Sequence, residues 1–212
     1  FDQYFPRFYK TYTEHWQLPI HAHIIDPSET SMQRLEKMDV TYTYCTTDPA
    51  VLKWPYSYVT YCQAQRFMLL GHNLSKNQSV IVADIDSYAL REPNDQQRNL
   101  VHSDMAFTEY NGRLMATFCN FHHSRQTSAK EAAVKMQQLI EDADTVGVDQ
   151  LVIKEVFKKL PFNILTHGEW IRHRDVKTNQ DTAEHNKCLV YHEKGCRGKD
   201  KGLQIQWTDI GL

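Results

Sequence analysis

No run of about 18 apolar residues occurs in the sequence, so no membrane-crossing helix is expected, and no cleavable signal sequence is readable at its start. Neither charge predominates: 24 Lys and Arg stand against 26 Asp and Glu, for a formal charge of −2. That balance excludes a protein that coats nucleic acid through a broad basic field, while leaving a local basic site open. Eight glycines and seven prolines in 212 residues exclude collagen-like and low-complexity chains. The cysteines, at 45, 62, 119, 188 and 196, form no Cys-x-x-Cys pair. Such an odd, scattered set fits reduced thiols better than a disulfide scaffold, so a soluble, cytoplasmic protein is expected.

What is present is ordinary globular composition, 41% hydrophobic and 24% charged. It is enough for one domain over residues 1–212 with its own core. The chain opens on Phe1 with an aromatic, helix-like stretch, so a leading segment is expected to be missing and the chain to be a possible module of a longer polypeptide. Short apolar runs alternate with longer helical ones, the pattern of an α/β domain. A strand is predicted at Leu18–Ile25, a helix at Tyr58–Leu74 and a strand, covered on both faces, at Val80–Ala83. Asn94–Asn99 reads as a loop, with short strands near Val101 and over Leu114–Phe121. Ser128 to Glu131 resembles a capping box opening a helix. A second late helix is predicted over Asp149–Leu160, and a short strand over Cys188–Tyr191. The polar connections 94–99, 122–130 and 172–187 are candidate substrate loops.

Asp84 and Asp86 follow the Val80–Ala83 run, at the strand end where open α/β sheets place ligands. Two residues apart in extended chain, they would project to one side. A divalent cation relieves the repulsion between two such carboxylates, and hard oxygen ligands suit Mg²⁺ or Mn²⁺, which bridge to phosphates. The alternative is a solvated turn.

A second apolar strand ends in His192, followed by Gly195, Gly198 and the cations Lys194, Arg197 and Lys199. Glycines permit close backbone approach, the cations suit a diphosphate, and His192 would complete a metal shell; otherwise this is a basic surface loop. Arg66, on the face of its helix that reads as buried, is either an internal ion-pair residue or directed at an anion. Asp149-Gln150 reads first as a helix N-cap. His21 and His23 share a strand face with no third ligand close in sequence and are expected to be structural. Trp54, Tyr56 and Tyr58 suit stacking on a base or sugar, although packing is the commoner use of aromatics beside a proline.

The order of these features resembles the nucleotide-sugar glycosyltransferases of the GT-A fold, most closely the retaining branch that includes glycogenin and the bacterial lipopolysaccharide galactosyltransferases. The matching segments are Tyr61–Leu70 with Arg66, Asp84-Ile-Asp86, Met115–Asn120, Asp149-Gln150, and His192-Glu-Lys-Gly195 with Lys199, so the resemblance spans roughly 58 to 200. It implies one Rossmann-like GT-A domain with a mixed, mostly parallel central sheet flanked by helices, its first strand preceding Phe1. By the same resemblance Asp84, Asp86 and His192 hold Mn²⁺ (or Mg²⁺), with Asp84 also near the ribose. Arg66, Asn120 and Gly195 would lie at the donor, Lys199 and Arg197 would neutralise the departing diphosphate, Asp149 would hold sugar hydroxyls and Gln150 would lie beside the anomeric carbon. Thr117 stands where the family has Gly, and Gly198-Lys-Asp200 where it has Lys-Pro-Trp.

The expected activity is therefore hexosyl transfer from a nucleoside diphosphate, UDP first, to an acceptor hydroxyl on a glycan, lipid-linked or protein acceptor, with retention favoured. Inversion would need a carboxylate base, for which Asp149 and Asp104 are candidates. The alternatives are an inactive sugar-nucleotide-binding module and, last, a metal-dependent phosphohydrolase, for which further acidic ligands are lacking.

Overall fold

The computed structural model describes residues 3–142, 144, 146–166, 168–173, 188–192 and 205–211. In chain order its helices and strands are α1 (Phe5–Trp16), β1 (His21–Ile25), α2 (Glu29–Leu35), β2 (Thr41–Cys45), α3 (Ser57–Met68), α4 (Leu70–Lys76), β3 (Ser79–Ala83), β4 (Ser87–Ala89), α5 (Asp95–Val101), β5 (Met105–Tyr110), β6 (Arg113–His122), α6 (Gln126–Asp142), α7 (Val148–Glu155), β7 (Asn163–Leu165), β8 (Ile171–His173) and β9 (Val190–His192). The fold is mixed α/β, and its chain divides into two compact units: 1–46 with 84–93 and 167–212, and 47–83 with 94–166.

In the first unit, β1 and β2 pair in parallel with His21 opposite Thr41, and α2 is the crossover between them. Ser28 caps α2 by accepting from Ser31 N–H at 3.1 Å. Helix α1 has Pro6 in its first turn, where the missing N–H costs nothing. It ends at Gln17, whose left-handed backbone returns an N–H to Tyr12. Phe5, Ala22, Ile24, Leu35 and Trp207 form this unit's apolar cluster, and Ile85 packs against it. A three-stranded sheet runs β4-β9-β8, with β4 antiparallel and β8 parallel to β9.

In the second unit the sheet order is β3-β6-β5-β7. Helices α3, α4, α6 and α7 contribute to one core with β5 and β6. Its centre is aromatic: Phe121 meets Phe107 edge-on at 5.5 Å and lies 5.0 Å from Phe157. Full burial of each such ring contributes about 1.5–3 kcal/mol before edge-to-face terms. Strands β5 and β6 are joined by Asn111-Gly112, both at positive φ (52° and 73°), the two-residue turn that follows strand twist.

Several predicted elements shift. The mixed sheet is present, but the six pairings among the described residues divide evenly, three parallel and three antiparallel, rather than mostly parallel. The single helix predicted over Tyr58–Leu74 is two, broken at Leu69. Two residues later Gly71 meets α6 so closely that a Cβ would lie 3.2 Å from Lys130 Cγ. Val59, predicted on the buried face, is exposed, and Thr60 and Ala64 are buried instead. The predicted loop 94–99 is largely α5, because Asn94 and Gln97 form a reciprocal cap (2.9 and 3.0 Å). The box at Ser128–Glu131 is not an N-terminus, since α6 already begins at Gln126. The predicted Val80–Ala83 strand is present, but every residue of β3 is half-buried rather than covered on both faces.

Candidate metal centre

The carboxylate pair does not sit in extended chain, as the spacing had suggested. Ser87 N–H returns to Asp84 C=O at 3.0 Å, which folds Asp84–Ser87 into a turn. Within it Ile85 is the apolar residue, and its place against the Phe5–Trp207 cluster leaves the two flanking aspartates outside that cluster. The turn leads directly into β4, whose antiparallel register with β9 sets Ser87 opposite His192. The imidazole is thereby delivered to the turn. His192 Nε2 lies 3.0 Å from Asp86 Oδ1 and 3.3 Å from Asp84 Oδ2.

Asp84, Asp86 and His192 offer ligand atoms that all lie within 4.8 Å of one another, the one such group of three or more among the described residues. Two carboxylate oxygens and one imidazole nitrogen form a donor set that could hold a divalent metal ion. The charge balance also fits a cation. Burial alone would lower the pKa of His192, but hydrogen bonds and charge from Asp84 and Asp86 reverse this and lift it to about 9. Without metal, a proton on Nε2 thus supplies the positive charge that two adjacent carboxylates demand.

Next to this group, Ser87 Oγ donates to Asp84 C=O at 2.5 Å and Tyr12 OH lies 3.1 Å from Ser87 Oγ. Burial holds the Tyr12 phenol well above its ordinary pKa, so it keeps its proton. Neither residue stands out in the sequence. A cavity of about 560 Å³ lies in the same unit along α1 and β4, lined by Lys10, Glu14 and Leu90 among others, and none of the three candidate ligands lines it.

The other candidate residues divide clearly. In the second unit Arg66 Nη1 pairs with Asp149 Oδ2 at 2.8 Å, so this guanidinium forms an internal ion pair. Asp149 is buried, and its Oδ1 accepts Gln150 N–H at 2.9 Å. The cap of α7 is Gly147 at φ 80°, not Asp149, although Asp149 lies in the first turn where the helix dipole favours an acid. Gln150 is half-buried beside it. Asn120 is fully buried and donates Nδ2–H to Val101 C=O at 3.1 Å, tying the end of α5 to β6. Asp104 is engaged by Arg125 and by Ser124 Oγ. Lys199, Arg197 and Gly195 lie outside the described residues.

His21 and His23 form a cross-strand ladder with β2. His21 reaches Thr41 and Thr43 at 2.9 and 3.1 Å, and His23 reaches Thr43 at 2.9 Å and Cys45 Sγ at 3.5 Å. Burial, then the neighbouring His21, lowers the His23 pKa, which favours a neutral ring. Trp54 meets Tyr56 edge-on at 5.7 Å, and Tyr56 is 61% exposed.

No protein-family model matches the chain, and no curated protein does. Among solved structures it is similar to a glycosyltransferase involved in the glycosylation of the major capsid of PBCV-1, with 13% identity over 84% of this chain and 95% of that one. The TM-score is 0.49, a likeness that by itself assigns neither fold family nor activity.

Proposed function

We propose that the chain is a metal-dependent glycosyltransferase of the GT-A kind, moving a hexosyl group from a nucleoside diphosphate, UDP first, to an acceptor hydroxyl with retention. The observation that carries this is the convergence of Asp84, Asp86 and His192 on one point from a turn and a strand about a hundred residues apart in sequence. That convergence falls on the residues the sequence resemblance assigns as ligands. A bound Mn²⁺ or Mg²⁺ would supply Lewis-acid stabilisation of the charge on the departing diphosphate.

The chain's own groups have definable tasks. Asp84 and Asp86 would hold the cation through carboxylate oxygens, and His192 through the lone pair of a neutral Nε2 that has released its proton. By resemblance, Arg197 and Lys199 neutralise the departing diphosphate, Gly195 lets backbone approach it, and Arg66, Asp149 and Gln150 serve the donor sugar. The Arg66–Asp149 pair is compatible with such a task, since its partners hold one another in place. Asn120, which gives one Nδ2–H to Val101 C=O, lies at the donor by the same resemblance. Acceptors with a free hydroxyl on glycan, lipid-linked or protein carriers fit this chemistry, and nucleic acid is not a proposed partner.

Calorimetric titration of UDP, with and without Mn²⁺, tests the reading on wild type and Asp86→Ala. Metal-dependent binding lost in the variant is the expected result, followed by release of sugar from a UDP-hexose. Nucleotide binding without transfer or donor hydrolysis would identify an inactive binding module. Phosphate release from substrates that carry no sugar would identify a phosphohydrolase. No binding of UDP or GDP under any metal condition would overturn the proposal.

A further inference from the structure

The turn that carries the two carboxylates is held by a helix more than seventy residues earlier in the chain. Among the described residues strand β4 is an edge of the β4-β9-β8 sheet, and each of its three residues meets α1. Tyr12 OH lies 3.1 Å from Ser87 Oγ, the Arg7 guanidinium stands 4.5 Å from the centre of the Tyr88 ring, and Thr11 Oγ1 accepts Ala89 N–H at 3.1 Å. The last contact satisfies an edge-strand donor.

The direction of the hydrogen bonds can be derived. Asp84 C=O can only accept, so the single Ser87 hydroxyl hydrogen is committed to it at 2.5 Å. Tyr12 must then be the donor to Ser87 Oγ. The chain runs Tyr12 OH to Ser87 Oγ to Asp84 C=O, and that carbonyl also receives Ser87 N–H, closing the turn. Tyr12 and Ser87 are buried, which leaves little room for water to replace either hydroxyl. A phenol fixed at one end of this chain therefore fixes the carbonyl at the other, and with it the backbone from which the Asp84 and Asp86 side chains depart.

We propose that Tyr12 is a positioning residue of the metal centre: through Ser87 it locks the Asp84–Ser87 turn in the one conformation that aims both carboxylates at His192. This rests on the assignment of Asp84, Asp86 and His192 as metal ligands.

Tyr12→Phe removes only the hydroxyl, leaving the ring to pack against Phe8 at 4.4 Å. Ser87→Ala breaks the next link, and Ser28→Ala, which loses the cap of α2, controls for general loosening of the same unit. Mn²⁺ affinity is read by electron paramagnetic resonance titration of the full chain, with thermal unfolding in metal-free buffer alongside. Tyr12→Phe and Ser87→Ala are each expected to weaken Mn²⁺ binding about tenfold, the lower end for an outer partner of a metal ligand. The double variant should be no weaker than either single, since both cut one chain, and Ser28→Ala should bind as wild type does. If wild type binds Mn²⁺ and Tyr12→Phe and Ser87→Ala bind it equally well, or if Ser28→Ala loses as much, the positioning role is overturned while the metal centre stands. If wild type binds neither Mn²⁺ nor Mg²⁺, the metal centre itself falls, and the role of Tyr12 with it.

Discussion

Ser87 and His192 stand opposite one another in the antiparallel pairing of β4 with β9, and this register places the imidazole against the turn that runs into β4. A one-residue slip of β9 would point His192 to the other face of the sheet and leave Asp84 and Asp86 without their third partner.

Metal affinity should therefore depend on His192 and on pH together. Below about pH 9 the metal-free imidazole carries a proton, which a cation must displace. Mn²⁺ affinity is expected to rise by up to about tenfold per pH unit between 6 and 8.5, with proton uptake by the buffer detectable in calorimetry. In His192→Ala, affinity should fall by roughly 10–100-fold or more, taking the loss of an outer partner as the floor, and this steep pH dependence should flatten. A steep dependence that survives in the variant would place the titrating group elsewhere.

Stability of the metal-free protein should respond to the same proton with the opposite sign. The folded pKa of about 9 lies above the ordinary 6.5, so the stabilisation is fully present below about pH 6.5 and is lost as pH rises through 9. Its size is at most a few kcal/mol. Urea midpoints measured in chelator at pH 6.5 and 9.5 should show the fall, and His192→Gln should reduce it.

Arg66 and Asp149 offer a separate test in the other unit. Removing one member of a buried ion pair costs about 3–5 kcal/mol, and the 21% exposure of the Arg66 side chain places it at or below the low end of that range. Arg66→Met should lower stability by about 2–3 kcal/mol, and adding Asp149→Asn should recover part of the loss by removing the stranded charge. Denaturant unfolding of both variants checks this. Independent, additive losses would mean that the two residues are not energetically coupled.

Much of the candidate metal centre was legible because its signals are local. A buried-type apolar run ending in Asp-x-Asp, and another ending in His, are readable without a partner strand. Their meeting was not, because register between β4 and β9 is a property of two three-residue strands too short to show a period. Helix α5 was missed although Asn94 and Gln97 spell its cap, since the residues between and beyond them are polar and read as loop. The Asn111-Gly112 hairpin signal was there to be read as well. An acid beside a helix start reads as a cap, whereas the buried Asp149 carboxylate answers Arg66, 83 residues away, a contact that local sequence does not encode. Tyr12 gave no signal at all, for nothing in an amphipathic aromatic helix announces a hydroxyl contact 75 residues ahead.

The unit that holds the centre is assembled from three separate stretches of chain, 1–46, 84–93 and 167–212. During synthesis, α1 and the aspartate turn are both complete while the segment bearing His192 is still unmade. The segment bearing both carboxylates is thus made some hundred residues before the segment bearing His192, and the three side chains can come together only once the third stretch arrives. Metal retention would accordingly separate finished chains from fragments that stop short of β9.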